Sequence, residues 1–301
     1  MKRVAITGAT SMIGVALIEE CIKHEIQVLA IIRKGSTRLS RLPKSSYISV
    51  IESDLPALSV LDVSGLSCDV FYHFAWDGTV RGPRENIDLQ WNNLRYTMDA
   101  VNLAHRLNSR VFIGAGSQAE YGINLGKIDA NTLVNPLTPY GVAKYSAGRL
   151  SAFFCEKYGM KNIWGRIFST YGLNDNENTM IKYALRQFRE GKPAQFSAAT
   201  QTWNYLYEED AGKIFYLLGE KEVESGVYCV ASQDTRPLKE FILEMKQIYG
   251  KGAECVFAPD TGAPTVSLDP DISELVKAIR WTPQTSFAEG IRKMINACED
   301  C

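Results

Sequence analysis

Short hydrophobic runs alternate with longer stretches in which apolar positions recur at helical spacing, from Arg3 to about Tyr171. The runs at 3–7, 27–32, 47–51, 70–74, 111–113 and 162–167 are mostly apolar on successive residues. That pattern predicts strands covered on both faces, as in a parallel sheet between layers of helix. The stretches at 15–23, 86–107 and 140–158 predict helices that cross from one strand to the next. The whole predicts an α/β fold, a Rossmann-type doubly wound parallel sheet.

Beyond Tyr171 the regularity drops. A polar loop at 174–178 precedes a helix at 179–190, a short strand at 203–207, a helix at 210–218 and a strand at 227–230. Helices at 238–249, 271–278 and 287–298 complete the chain. A length of 301 residues suits about two domains. The expected division is 1–171, rejoined by about 205–230, with a smaller, partly interleaved domain formed by 172–204 and 231–301.

Charge and cysteine content narrow the function classes. A net charge of −1 gives no electrostatic hold on nucleic acid or an anionic membrane surface. No apolar run approaches the ~18 residues of a membrane span. Met1-Lys2-Arg3 leads straight into a strand rather than a signal peptide, so a cytoplasmic location is expected. The seven cysteines are scattered and odd in number, which suits reduced thiols. Cys298 and Cys301 form a C-x-x-C with no partner pair and are read as a tail. His24, His73 and His105 are dispersed, and neither an H-E-x-x-H nor a P-loop occurs. No metal is therefore expected, and metal hydrolysis and kinase chemistry lack their parts.

The first strand runs into Gly8-Ala9-Thr10-Ser11-Met12-Ile13-Gly14 and then a helix. Backbone N–H groups and the helix dipole at such a turn suit a dinucleotide's pyrophosphate. Gly8 makes the tight turn and Gly14 the close helix–strand contact, while Ser11 stands where a middle glycine is usual. The second strand ends in Arg33-Lys34-Gly35-Ser36, with Arg38 close by and no acid for a ribose 2′-hydroxyl. A planar guanidinium there favours a 2′-phosphate, so NADP(H) is expected ahead of NAD(H); the bland alternative is a solvated basic loop. Asp54, at the end of the third strand, is placed to meet the adenine side.

The stretch from Val111 to Lys144 carries the candidate chemistry. A strand breaks into Gly114-Ala115-Gly116-Ser117, and a helix starting after Pro139 sets Tyr140 and Lys144 one turn apart. A free tyrosine, with a pKa of ~10, is nearly inert as a base at neutral pH. A neighbouring ammonium favours its phenolate and makes proton transfer feasible. Spacing alone is a weak signal, since tyrosine and lysine commonly share a solvated helix face, and Trp76 and Trp203 on residue type alone read as packing aromatics.

Thr7-Gly8, Gly14, Ser117 and Tyr140-x-x-x-Lys144 together resemble the extended short-chain dehydrogenase/reductases, the epimerase/dehydratase family acting on nucleotide sugars. The likeness extends to Asp54, His73-Phe74-Ala75, Asn93, Asn135-Pro136, Arg166-Ile167-Phe168, Tyr171-Gly172, Glu209-Asp210 and Trp281-x-Pro283. It implies Tyr140 as acid/base, Lys144 on the nicotinamide ribose and Ser117 on the reacting oxygen. It implies cofactor contacts from Gly8, Thr10, Ser11, Met12, Ile13, Gly14, Arg33, Asp54 and Ala75, together with Tyr140 and Lys144. Trp76, Ser117, Gln118, Ser169 and Trp203 are the implied substrate contacts. Asn93 is either the family's helix asparagine near the lysine or a surface amide. The family commonly dimerises through two helices, here 86–107 and 140–158.

Departures from the family pattern refine the expectation. Gln118 and Ala119 replace the Asp-Glu pair that eliminates water in dehydratases, Trp203 replaces an arginine for the sugar-nucleotide diphosphate, and Ser169 replaces an asparagine. His73-x-Ala75-Trp76, Ser117-x-Ala119-Glu120-Tyr121-Gly122 and Gln201-x-Trp203 resemble the branch of the family that reduces nucleotide-linked 4-keto-6-deoxy sugars, and this resemblance implies NADPH-dependent reduction of a nucleoside-diphosphate 4-keto-6-deoxyhexose as the expected activity. A 4-epimerase with tightly bound NAD ranks second, and a catalytically silent dinucleotide sensor is the alternative from another class.

Overall fold

The computed structural model describes residues 1–80, 82–124, 126–262 and 265–299. Cys301 and the side chain of Cys298 lie outside the described residues. Seven parallel strands form the main sheet: β1 (Arg3–Thr7), β2 (Gln27–Ile32), β3 (Ile48–Glu52), β4 (Val70–His73), β5 (Val111–Ser117), β6 (Lys161–Ile167) and β10 (Gly226–Val230). Their order is β10-β6-β5-β4-β1-β2-β3, so the direction of winding reverses between β1 and β4. A crevice opens at the carboxyl ends of the strands at such a reversal, and ligands of this architecture lie there.

Successive residues of each strand enter opposite cores. Val4, Ile6, Val28, Ala30, Val70 and Tyr72 join the cluster beneath α1 (Met12–Lys23) and α5 (Glu208–Glu220). Ala5, Leu29, Ile31, Phe71 and Phe112 join the cluster beneath α2 (Ile87–Arg106) and α3 (Pro139–Lys157). Two buried faces explain why these strands read as continuous apolar runs rather than alternating ones.

The three helices that flank the site, α1, α2 and α3, begin at capping side chains. Ser11 accepts from Gly14 N at the start of α1, and Asn86 accepts from Leu89 N at the start of α2. Thr138 accepts from Gly141 N before α3, whose first residue is Pro139. Each cap satisfies a backbone donor that the helix leaves open.

After β6 the chain builds smaller pieces. β7 (Ser169–Tyr171), β9 (Thr202–Tyr207) and β11 (Thr235–Pro237) form a three-stranded sheet, and β8 (Ala194–Phe196) pairs with β12 (Cys255–Phe257). Within 205–230, β10 pairs with β6 and α5 lies against α1, whereas β9 pairs with β7 and β11. Helices α4 (Met180–Arg189), α6 (Leu238–Tyr249), α7 (Ser273–Ile279) and α8 (Phe287–Glu299) complete the fold. The three-residue strands β7, β8, β11 and β12 are absent from the sequence expectation, because so few residues carry no readable period. Among the described residues no helix is long and apolar enough to cross a membrane, and no cluster of His, Cys, Asp and Glu could hold a metal ion.

Candidate active site

The turn after β1 leaves no room for side chains at two positions. Gly8 has φ of +71°, and a Cβ there would stand 2.6 Å from Ala75 N; one on Gly14 would stand 2.4 Å from Gly8 O. The turn therefore lies backbone to backbone against the end of β4. Ser11, in the middle-glycine position, uses its hydroxyl to cap α1, whose first turn contains no acid. A backbone-tight turn opening a helix N-terminus free of carboxylates fits a pyrophosphate.

Ser117 ends β5 and Tyr140 lies in the first turn of α3, and the two line the same cleft walls. Both are buried. Lys144 donates from Nζ to Ala115 O at 2.8 Å, and the ammonium lies 3.7 Å from the centroid of the Trp76 ring. It stands 5.8 Å from the Tyr140 ring centroid. Burial pushes Lys144 down to about 7, with the Arg84 charge acting in the same direction and Glu120 against it. Burial also raises Tyr140, while the Ser117 hydroxyl and the Arg84 charge pull it back. The expectation that Lys144 brings the phenol down is thus altered in the structure: desolvation outweighs it, and the opposing cation is Arg84.

Arg84, which the sequence reading missed, lies with its guanidinium carbon 4.2 Å from the Tyr140 ring centroid. It belongs to a short 3-10 turn, Pro83–Glu85, in a loop with no hydrophobic period. Side chains from α2 hold that loop. Gln90 donates to Gly78 O and Pro83 O and accepts from Trp76 Nε1 at 2.9 Å. Asn93 is buried and clamps Asp77 at both its N–H and its carbonyl, at 2.9 and 2.8 Å. It is no surface amide; it secures the loop that lays Trp76 under Lys144. His73, buried between Thr7 and Thr97, is pushed down to about 3 by burial and the Lys144 charge, so it is neutral and structural.

Two clefts meet at the serine and tyrosine. The smaller, of about 300 Å³, runs from Ser11, Met12 and Ile13 past Trp76 and Ala115 to Lys144. The larger, of about 430 Å³, is lined by Arg84, Gln118, Ser169, Asp175, Trp203 and Tyr205 among others. Ser117, Tyr140, Thr79, Phe168 and Thr170 line both. Gln118, Ser169 and Trp203 thus gather with Ser117, whereas Trp76, expected at the substrate, lies on the glycine-turn side. Two further grooves, of about 530 and 550 Å³ along α3 and β10, contain none of Ser117, Tyr140 and Lys144.

At the outer end, Arg33 is exposed on a turn closed by Ser36 N to Arg33 O. Asp54 Oδ1 accepts from Lys34 N at 3.3 Å, which brings a carboxylate from the end of β3 to the end of β2.

A family model, the NAD dependent epimerase/dehydratase family, matches residues 4–231. A dTDP-6-deoxy-L-talose 4-dehydrogenase (NAD(+)) from Aggregatibacter actinomycetemcomitans is 30% identical over 80% of this chain and 90% of its own. A UDP-glucuronate 4-epimerase from Thermodesulfobacterium geofontis is 24% identical over 97% of this chain and 94% of its own. Among solved structures, UDP-glucuronic acid 4-epimerase from Bacillus cereus in complex with NAD superposes with a TM-score of 0.85, at 21% identity and 99% coverage of both chains.

Proposed function

The chain belongs to the NAD dependent epimerase/dehydratase family, and from that premise we propose that it acts at C4 of a hexose carried on a nucleoside diphosphate, as a 4-epimerase that keeps NAD bound. One observation carries this reading: Ser117 and Tyr140 stand in the wall shared by the two clefts. A phenol at that junction can give or take the proton of a sugar oxygen in the larger cleft, and the Ser117 hydroxyl can hold the same oxygen. The dinucleotide, when bound, supplies the hydride acceptor and donor. Gly8, Thr10, Ser11, Met12, Ile13, Gly14 and Ala75 line its expected path, with Asp54 at the adenosine end and Lys144 at the nicotinamide ribose. The sugar side we assign to 172–204 and 231–301. Gln118 and Ala119 offer no acid–base pair, so elimination of water is not expected.

This reading puts the 4-epimerase and NAD ahead of the two first expectations. The full-length relative named above is a 4-epimerase, and the structural neighbour was captured with NAD, which supports epimerisation and NAD over an NADPH-dependent reductase. A physical argument on the same side is that Asp54, from the end of β3, sets a carboxylate against the backbone of Lys34, close to where β2 ends. A second reading, reduction of a 4-keto-6-deoxyhexose, is favoured by the relative with 30% identity, whose name specifies 4-dehydrogenation of a 6-deoxy sugar.

Purified protein incubated with UDP-glucose, UDP-glucuronate and a dTDP-4-keto-6-deoxyhexose separates them. We expect C4 isomers to form with no net change in dinucleotide, and NAD to be released on denaturation. One reduced dinucleotide consumed per keto sugar would install the reductase instead. If NADPH binds more tightly than NADH and Arg33→Ala removes the difference, a phosphate contact of ~1.5–3 kcal/mol is present and NADP(H) returns as cofactor.

We also propose a homodimer through α2 and α3. Ile87 (71% exposed), Trp91 (69%) and Phe153 (57%) lie uncovered along these two packed helices. Trp91→Glu with Phe153→Glu is expected to convert a sedimenting dimer to monomer. An unsubstituted chain that sediments as a monomer at micromolar concentration rules the dimer out.

A further inference from the structure

We propose that Arg84 is a positioning residue for proton transfer: it lies over the Tyr140 ring from the sugar side and stabilises the phenolate. The proposal rests on Tyr140 being the acid/base, and it is independent of whether the sugar is epimerised or reduced. Four groups from different elements bear on the proton affinity of the tyrosine. Ser117 comes from the end of β5, Glu120 from the turn after it, Lys144 from α3 itself and Arg84 from the loop before α2. The ammonium of Lys144 is committed to Ala115 O and to the Trp76 ring. Glu120 opposes the phenolate. Arg84, 4.2 Å from the ring centroid, is the nearer cation to the ring.

The geometry favours one protonation state. A cation on a ring face is attracted by the π electrons. When the phenol ionises, its charge spreads into that ring and the attraction grows. A guanidinium remains charged at every working pH, unlike a buried lysine held at about 7. The backbone that carries Arg84 is held in place: its main-chain N–H donates to Val80 O, and Gln90 Nε2 donates to the carbonyl of Pro83 beside it. Among the described residues that line the larger cleft, Arg84 is the one cation, so it faces the sugar from the tyrosine's side.

The test reads the ionisation of Tyr140 directly. Near-ultraviolet tyrosinate absorbance of the NAD-loaded protein is followed against pH, and the Tyr140→Phe trace is subtracted to isolate one phenol. Arg84→Gln is expected to move the midpoint up by about one pH unit or more, the effect of losing an opposite charge at ~4–6 Å. Arg84→Lys, which restores a charge without the fork, is expected to recover most of that shift. The pH limb of turnover, on whichever probe sugar reacts, is expected to move in parallel. A midpoint unchanged in Arg84→Gln, or equally raised in Arg84→Lys, overturns the proposal. So does a change confined to KM with the limb in place, which would make Arg84 a sugar contact only. If instead Tyr140→Phe keeps its turnover, the acid/base reading itself fails, and that outcome is separate from the titration.

Discussion

Replacing Tyr140 with phenylalanine is expected to lower turnover by ~10²-fold or more while leaving cofactor affinity nearly unchanged. The substitution removes one buried hydroxyl and keeps the ring that Arg84 and Trp76 pack against. Cofactor affinity should hold, because the glycine turn and Lys144 are untouched. Lys144→Ala is expected to damage both, since it empties the space over Trp76 and removes the donor to Ala115 O. The pH dependence follows from the shifts. Burial raises the phenol, so it stays protonated through neutral pH, and a step that needs the phenolate should speed up as pH rises toward its titration. A step that needs the phenol should slow over the same range. Single-turnover rates and dinucleotide fluorescence titrations check both halves. A Tyr140→Phe protein that retains a tenth of the normal rate would send the assignment elsewhere.

The second large effect concerns stability. Glu120 is fully buried and carries three donors: Arg166 Nε at 2.7 Å, Trp164 Nε1 at 3.0 Å and the backbone N–H of Ser117 at 2.8 Å. Glu120→Ala strands the buried Arg166 guanidinium and two N–H groups at once. Removing one partner of a buried pair costs about 3–5 kcal/mol, largely through the charge left behind. Denaturant unfolding should show that loss as a lower midpoint with little change in slope. Because Glu120 also fixes Ser117, residual activity should fall as well. Glu120→Gln, which keeps the shape and some of the hydrogen bonding, should cost less. A loss below ~1 kcal/mol in Glu120→Ala would mean that water replaces the carboxylate and that the pair is not closed to solvent.

Much of the main sheet and part of the site are legible locally. Strands β1, β2 and β4 show as apolar runs because both faces are covered, and α1 shows because a glycine turn and a capping serine open it. Tyr140 and Lys144 fall on one helix with Lys144 one turn further on, so their shared face follows from the helical repeat. Asp54 is named correctly as a feature of a strand end, yet its meeting with Lys34 crosses from β3 to β2 and cannot be read along the chain. The expectation of NADP(H) rests on the end of β2 alone, without that contact. Trp76 illustrates the same limit. Its residue type permits packing or sugar contact, and its place beneath Lys144 depends on Gln90 and Asn93 from another element.

By itself, then, the sequence determined what periodicity and short-range chemistry can carry: the parallel α/β sheet, the backbone-tight turn at Gly8 and the helix that presents Tyr140 and Lys144. The tertiary structure alone decided which charges surround the phenol. Arg84 arrives over the ring from a loop without period, Lys144 turns to a carbonyl and an indole, and burial raises the tyrosine that the lysine was expected to lower. Proton affinity depends on desolvation and on charges within a few ångströms, whatever their distance along the chain, and those are properties of packing.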